Sequence, residues 1–189
     1  MNKADFITHA LSNPTNRKLL DRMPEMALQD AWLVSGALFQ TVWNCLSQRP
    51  TDYGIRDYDI VYFDSRDLSW EAENRTIERV RSRLADINDR IEIRNQARVH
   101  LWYPEKFGRP YPALGRSTDS IDRYLATVCM VGMNSKGNGN YSVYAPKGLD
   151  DISARILRPN PSPNYCDKAF LRKARRWMEC WPELTRLAT

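Results

Sequence analysis

The sequence predicts an α/β (α+β) fold: a mixed β-sheet flanked by helices and closed by a C-terminal helix. Three observations carry that expectation. Helix-like and strand-like apolar periods take turns along the 189 residues, as they do when helices pack on a sheet. The segment DYDIVYFD, residues 57–64, alternates acids with Tyr58, Ile60 and Tyr62, the two-residue period of a strand. Near the end, Phe170, Ala174, Trp177 and Trp181 recur at helical spacing, which predicts a helix over about 167–182.

The other elements follow in chain order. Residues 1–30 read as helical, with breaks at Asn13-Pro14 and near Pro24. In GALFQTVWNCL, 36–46, Leu38, Val42, Cys45 and Leu46 give a helical period, and residues 48–54 have none and form a loop. Ser69 caps a long helix with Glu71 and Glu73 near its positive end and Ile77, Val80 and Leu84 on its apolar face. IEIRNQARVHLWY, 91–103, reads as a strand pair or one long bent strand. Residues 104–120, rich in Pro and Gly, read as a surface loop. TVCMVGM (127–133) and YSVYAP (141–146) read as strands of a hairpin around NSKGNGN. GLDDISARIL is a short helix and RPNPSPN a linker. No repeat or low-complexity segment interrupts this order, so residues 1–189 are expected to form a single domain, with the N-terminal helices (about 1–30) and the C-terminal helix as appendages.

Composition narrows the function. Hydrophobic residues at 42% and charged residues at 27% suit a globular chain and exclude a disordered one. The four cysteines, Cys45, Cys129, Cys166 and Cys180, have no metal-binding spacing, and with only two histidines a zinc site is not expected. Free thiols, the lack of an apolar N-terminal core and the absence of 18 consecutive apolar residues point to a cytoplasmic protein without a membrane span. The net charge of +5 permits nucleotides or nucleic acids as partners. Acids gather between Asp52 and Glu73, whereas Lys168, Arg172, Lys173, Arg175 and Arg176 make the last helix basic.

Chemistry is concentrated in three short segments. Asp57 and Asp59, one residue apart on a strand, point to the same side, and two like charges there need a countercharge. Magnesium favours one or two carboxylates completed by phosphate oxygens; a solvated edge strand is the plainer reading. Glu92 lies between Ile91 and Ile93 and faces away from both, so it would join the aspartates if the two strands were neighbours. Otherwise it would pair with Arg94 or Arg98. Ser35 and Gly36 stand before a helix N-terminus, where backbone N–H groups approach phosphate closely.

In this order the segments resemble the nucleotidyltransferase (DNA polymerase beta-like) superfamily. Its pattern is matched by Val34-Ser35-Gly36, by Asp57-Tyr58-Asp59-Ile60 and by Ile91-Glu92-Ile93, with an altered glycine motif and Glu as the third acid. A bacterial branch of about this length is similar at WLVSGALFQTVWNCL (32–46), GIRDYDIVYFD (54–64), NQARVHLWY (95–103), YAPKGLDDI (144–152), RPNP (158–161) and RRWMECWPEL (175–184). The resemblance implies a nucleotidyltransferase-type mixed sheet. It also implies attack by a hydroxyl or phosphate on the α-phosphorus of an NTP, with Mg2+ (or Mn2+) held by Asp57, Asp59 and Glu92. The acceptor would be a small molecule, a protein or an RNA end.

Supporting roles come with plainer alternatives. Arg56 meets a phosphate or neutralises the aspartates. If the strand continues past Asn95, Arg94, Gln96, Arg98 and His100 share the face of Glu92, which would place Arg98 and His100 against the nucleotide; a structural histidine suits His100 equally. Lys147 is either a triphosphate contact or a surface lysine. Trp177 and Trp181 are expected in the core, and the basic face of their helix in solvent. Two other functions compete: a nucleotide-binding or regulatory protein without turnover, and a nucleic-acid-binding module using the basic helix. Against the latter, the basic helix shows no single groove pattern with the interleaved aromatics that mark single-strand binders.

Overall fold

The computed structural model describes residues 1–87 and 90–187. Two short helices, α1 (Lys3–Ala10) and α2 (Pro14–Asp21), open the chain, each started by an asparagine that accepts backbone N–H bonds, Asn2 from Asp5 and Asn13 from Thr15 and Asn16. A single 3-10 turn, Met23–Met26, follows at Pro24. Then come β1 (Trp32–Val34), α3 (Gly36–Leu46), β2 (Tyr58–Tyr62), α4 (Trp70–Arg83), β3 (Ile91–Asn95) and α5 (Val99–Phe107). The second half contains α6 (Thr118–Ile121), β4 (Gly132–Ser135), β5 (Tyr141–Tyr144), α7 (Asp150–Ser153), β6 (Ile156–Leu157), α8 (Asp167–Cys180) and β7 (Thr185–Arg186).

Five strands form one sheet in the order β3-β2-β1-β4-β5, and β6 pairs with β7 apart from it. Only β2 and β3 are parallel in the large sheet; the other neighbours run antiparallel. The helix α4 makes the long crossover that parallel neighbours require, and Ser69 caps it by accepting from the Ala72 N–H at 3.2 Å. The hairpin expected around NSKGNGN is β4–β5.

Alternation divides the sheet into two faces. Leu33, Tyr58, Ile60, Tyr62, Ile91 and Ile93 point into the main core. On the other face, Val34 and Val61 pack with Ile121 and Met130 in a smaller cluster. The register aligns Val34 with Asp59 and Asp59 with Glu92, so both acids belong to this second face. It is the face that forms the site.

The main core is anchored by aromatic rings and buried amides. Trp43 on α3 meets Phe39, Trp177 and Trp181 edge to face, at centroid separations of 4.7, 6.2 and 5.4 Å. The ring N–H of Trp43 donates to Ile152 O at 3.0 Å and that of Trp181 to Asn44 Oδ1 at 2.9 Å, which satisfies both rings. Asn16 donates to Ala10 O and Ala37 O, tying the first two helices to α3.

Four expectations need correction. The strand read over 91–103 stops at Asn95, because the Asn95 side chain accepts the Ala97 N–H at 3.1 Å and starts a 3-10 turn that runs into α5. Asn95 also joins the Asp64 backbone at both its N–H and its C=O, fixing where the two parallel strands end. In consequence the helix α5 occupies part of the segment read as a loop, even with Pro104 inside it. The strand expected at 127–133 starts only at Gly132, after a 3-10 turn over Thr127–Cys129. Finally, β1 precedes Ser35 where only a glycine motif was read.

Candidate functional site

A cleft of about 740 Å³ opens over the second face of the sheet, a size typical of ligand pockets. Its floor includes Ser35, Asp59, Val61, Glu92 and Arg94, contributed by the two parallel strands β2 and β3 and the turn after β1. One wall is α5 with the loop behind it, and another is the basic face of α8 through Lys168, Arg172 and Lys173. That basic face therefore lines the cleft, where an outward solvent face was expected.

Asp59 is the electrostatic centre. Burial, then Asp57, then Glu92 push its carboxyl from the usual 3.8 up to about 7, while Lys173 and Arg94 act in the opposite sense. Tyr124, whose hydroxyl is pushed up by burial, also feels the Asp59 charge. Asp57 stands just before β2 and is partly exposed. It acts on Arg176, as does Arg56, and neither Asp57 nor Arg176 is among the residues that line the cleft; Arg176 donates to Gly54 O at 2.6 Å. Arg56 itself is exposed and does not line the cleft.

Glu92 lies beside Asp59 in the parallel register, as expected for neighbouring strands, but its carboxylate takes an ion pair from Arg90. Neither Arg94 nor Arg98 is its partner. Among the described residues, no three His, Cys, Asp or Glu side chains converge as a ready-made metal cage. The oxygen donors are present in one neighbourhood, and the pair Asp57 and Asp59 suits a magnesium ion whose other ligands are phosphate oxygens and water.

The turn before α3 is built differently from the glycine motif as read. Ser35, not Gly36, carries the positive φ, 56° with ψ −118°, a conformation that disfavours any side chain. Ser35 N–H donates to Val131 O at 2.9 Å, and its C=O accepts from Leu38 and Phe39, so the strained residue is held from both sides. Gly36 has an ordinary helical conformation; a Cβ there would come within 2.8 Å of Gln40 Nε2. No side chain caps α3, leaving the partial positive charge of its first turn beside Asp59, where it suits an anion. The Cys129 thiol, pushed up by burial, sits against the Ser35 hydroxyl and Lys173.

The remaining expected contacts separate from the cleft. Arg98 is buried in an ion pair with Glu73 and donates to Leu68 O at 2.8 Å, while Glu73 also accepts the Asn95 N–H. It lies beyond β3, so the strand face that was to align it with Glu92 does not exist. His100 is on α5, with a buried Nδ1 that has no hydrogen-bond partner, and it does not line the cleft. Lys147 is exposed after β5, again away from the lining residues. Conversely, Lys168, Arg172 and Lys173 belong to the cleft; their spacing marked a basic helix face without showing what it would meet. Arg109, Arg123 and the α5 aromatics carried no sequence signal for the site.

No helix among the described residues is long and apolar enough to cross a membrane. No curated protein sequence matches this chain significantly. A structure determined by NMR and described as revealing a CCA-adding enzyme head domain is similar over 100% of this chain and 97% of its own, with TM-score 0.78 and 24% identity. That likeness shows a shared fold. A chain from a tRNA-processing enzyme complex aligns over 87% of this chain and 41% of its own, at TM-score 0.46 and 17% identity, too distant to bear on the fold. A family model described as nucleotidyltransferase matches residues 21–186, and the chain therefore belongs to the nucleotidyltransferase family.

Proposed function

We propose that the protein transfers a nucleoside monophosphate from an NTP to an acceptor, using Mg2+ (or Mn2+) held by Asp57 and Asp59. The observation that carries this reading is Asp59, a carboxyl raised to about 7 among two other acids, on the floor of a cleft whose walls are basic. A carboxylate cluster is costly in isolation and becomes favourable with a bound cation. When bound, the ion would draw charge from the phosphate oxygens and lower the cost of the charge that develops in transfer.

The residues of the chain divide the remaining work. The uncapped first turn of α3, presented by Ser35, binds anionic phosphate through backbone N–H groups. Lys173 and Arg94 offset the charge of the triphosphate and stabilise the developing negative charge of the departing pyrophosphate. Glu92, beside Asp59, is released from Arg90 to complete the acidic cluster as the acceptor enters. Arg98 ties the start of α5 to α4 through Glu73 and to Leu68 O just before it, away from the cleft.

Mass analysis of products tests this reading. The protein is incubated with each NTP, Mg2+ or Mn2+, and fractions containing small metabolites, proteins or RNA. Release of pyrophosphate with an acceptor heavier by one nucleoside monophosphate supports transfer. NTP binding without any such product in all fractions would favour a nucleotide-binding protein without turnover.

A further inference from the structure

The outer wall of the cleft carries aromatic rings that the fold itself does not use. Trp102, Tyr103 and Phe107 on α5 and Tyr111 in the loop after it all line the cleft. Tyr103 lies 4.6 Å from Phe107 and 4.5 Å from Tyr111 between ring centroids. None of the four is part of either buried core cluster, and Phe107 is 51% exposed. A shelf of mutually packed rings facing a cleft marks a binding surface. It is also held in place: Asn164 donates to Pro110 O at 3.1 Å, Arg109 donates to Tyr165 O, and Arg123 joins Asn164 while its guanidinium lies 5.0 Å over Tyr111.

Cations are interleaved with these rings. Lys106 Nζ lies 5.5 Å from the centroids of both Trp102 and Phe107, and Arg109 and Arg123 flank Tyr111. Across the cleft stand Lys168 and Arg172, one helical turn apart. Among the described residues none of these five pairs with a carboxylate, although nine ion pairs form elsewhere. One nucleoside triphosphate at Asp59 would occupy the α3 turn, Lys173 and Arg94, and would leave both the ring shelf and these cations without a ligand.

We propose that this wall binds the end of a single-stranded polynucleotide, with terminal bases stacked on Trp102, Tyr103 and Phe107 and phosphates on Lys106, Arg109, Arg123, Lys168 and Arg172. Alternating rings and cations are what a sequence-tolerant single-strand binder requires. The wall continues into the floor at Asp59 and Glu92, so a bound strand presents its terminal hydroxyl to the acidic cluster. This deepens the transfer reading by naming the acceptor class, and rests on that reading only for the reaction. In that reaction the terminal hydroxyl oxygen bonds to the α-phosphorus of the NTP. The bond from the α-phosphorus to the bridging oxygen breaks, pyrophosphate leaves with the electron pair, and the hydroxyl proton passes to solvent.

Fluorescence anisotropy of labelled single-stranded oligoribonucleotides, with the full chain in EDTA and without NTP, tests the wall apart from the metal site. The probes are a strand with a free terminal hydroxyl, a blunt duplex and unlabelled mononucleotide as competitor. Single strands should bind, with the duplex and mononucleotide far weaker. Phe107→Ala and Trp102→Ala should each weaken binding about 5- to 150-fold, the span measured for loss of one stacked base, while Phe107→Tyr restores it. Arg172→Gln should flatten the salt dependence, because each phosphate contact on a single strand contributes about −0.7 to the slope of log K against log salt. Equal binding by wild type, Phe107→Ala and Trp102→Ala, with folding verified by circular dichroism, would overturn the proposal. So would absent single-strand binding at low salt, or a mononucleotide that competes as well as the strand. Because neither NTP nor metal is present, each of these outcomes leaves the transfer reading standing.

Discussion

Asp59 and Glu92 occupy facing positions of two parallel strands, and the two carboxyls differ in what holds them: Glu92 has Arg90, whereas Asp59 has Asp57 and burial. Among the described residues Asp59 has no ion-pair partner of its own. That imbalance has consequences for stability as well as for ligand binding.

The Asp59 carboxyl keeps its proton in the native state until about pH 7, but loses it near 3.8 when unfolded. Unfolding between those values releases a proton, so stability falls as pH rises through this window, and the penalty is complete above it. The rise corresponds to at most about 4 kcal/mol, and partial access of solvent reduces the expected cost to about 2 kcal/mol. Asp59→Asn should therefore be more stable than wild type in metal-free buffer above pH 7, with the gain vanishing near pH 4. Urea melts across this range test it; a mutant that is less stable above pH 7 contradicts it.

The same proton competes with a bound cation. Below about pH 7, each unit decrease should weaken Mg2+-supported NTP binding about tenfold, with a plateau at higher pH. In Asp59→Asn that dependence should be absent. Titration calorimetry at several pH values checks both curves.

Ser35 places a side chain where backbone geometry favours glycine. Relief of its strain should be worth about 1–3 kcal/mol, offset by the roughly 0.5–1 kcal/mol that glycine adds to the freedom of the unfolded chain. Ser35→Gly is predicted to raise Tm by about 2–4 °C, the response to about 1 kcal/mol in a chain of this size. A lower Tm would show that the contact of the Ser35 hydroxyl with Cys129 outweighs the strain.

Arg98 is predicted to act on folding alone. Arg98→Ala leaves Glu73 charged and buried, which costs about 3–5 kcal/mol. Denaturant melts should show that loss, while NTP affinity per folded molecule stays within twofold of wild type. Strongly weakened NTP binding at full stability would restore Arg98 to the ligand.

The acids of the site were legible because they rest on local alternation: Asp59 and Glu92 each stand between core residues of a strand, and pairing of the two strands brings them together. Helices with apolar stripes, such as 36–46 and the one bearing Phe170, Ala174 and Trp177, were readable for the same reason. Arg98 and His100 were misplaced because Asn95 satisfies both a loop and a helix start, a tertiary role that ends a strand where alternation alone would continue it. Pro104 hid α5, and three-residue β1 is too short to show a period. The basic stripe of α8 was visible, but packing of Trp177 on Phe39 is what turns Lys168, Arg172 and Lys173 into the cleft.

The central claim is that Asp57 and Asp59 hold a cation against a triphosphate, and calorimetric titration of a non-hydrolysable NTP analogue with Mg2+ tests it most directly. Wild type, Asp57→Asn and Asp59→Asn are compared about one unit above the Asp59 value of about 7, where the wild-type carboxyl is ionised. Wild type should bind in a manner abolished by EDTA, and each substitution should weaken binding at least tenfold while the far-UV spectrum is unchanged. Equal affinity in the three proteins, with or without Mg2+, would contradict the claim.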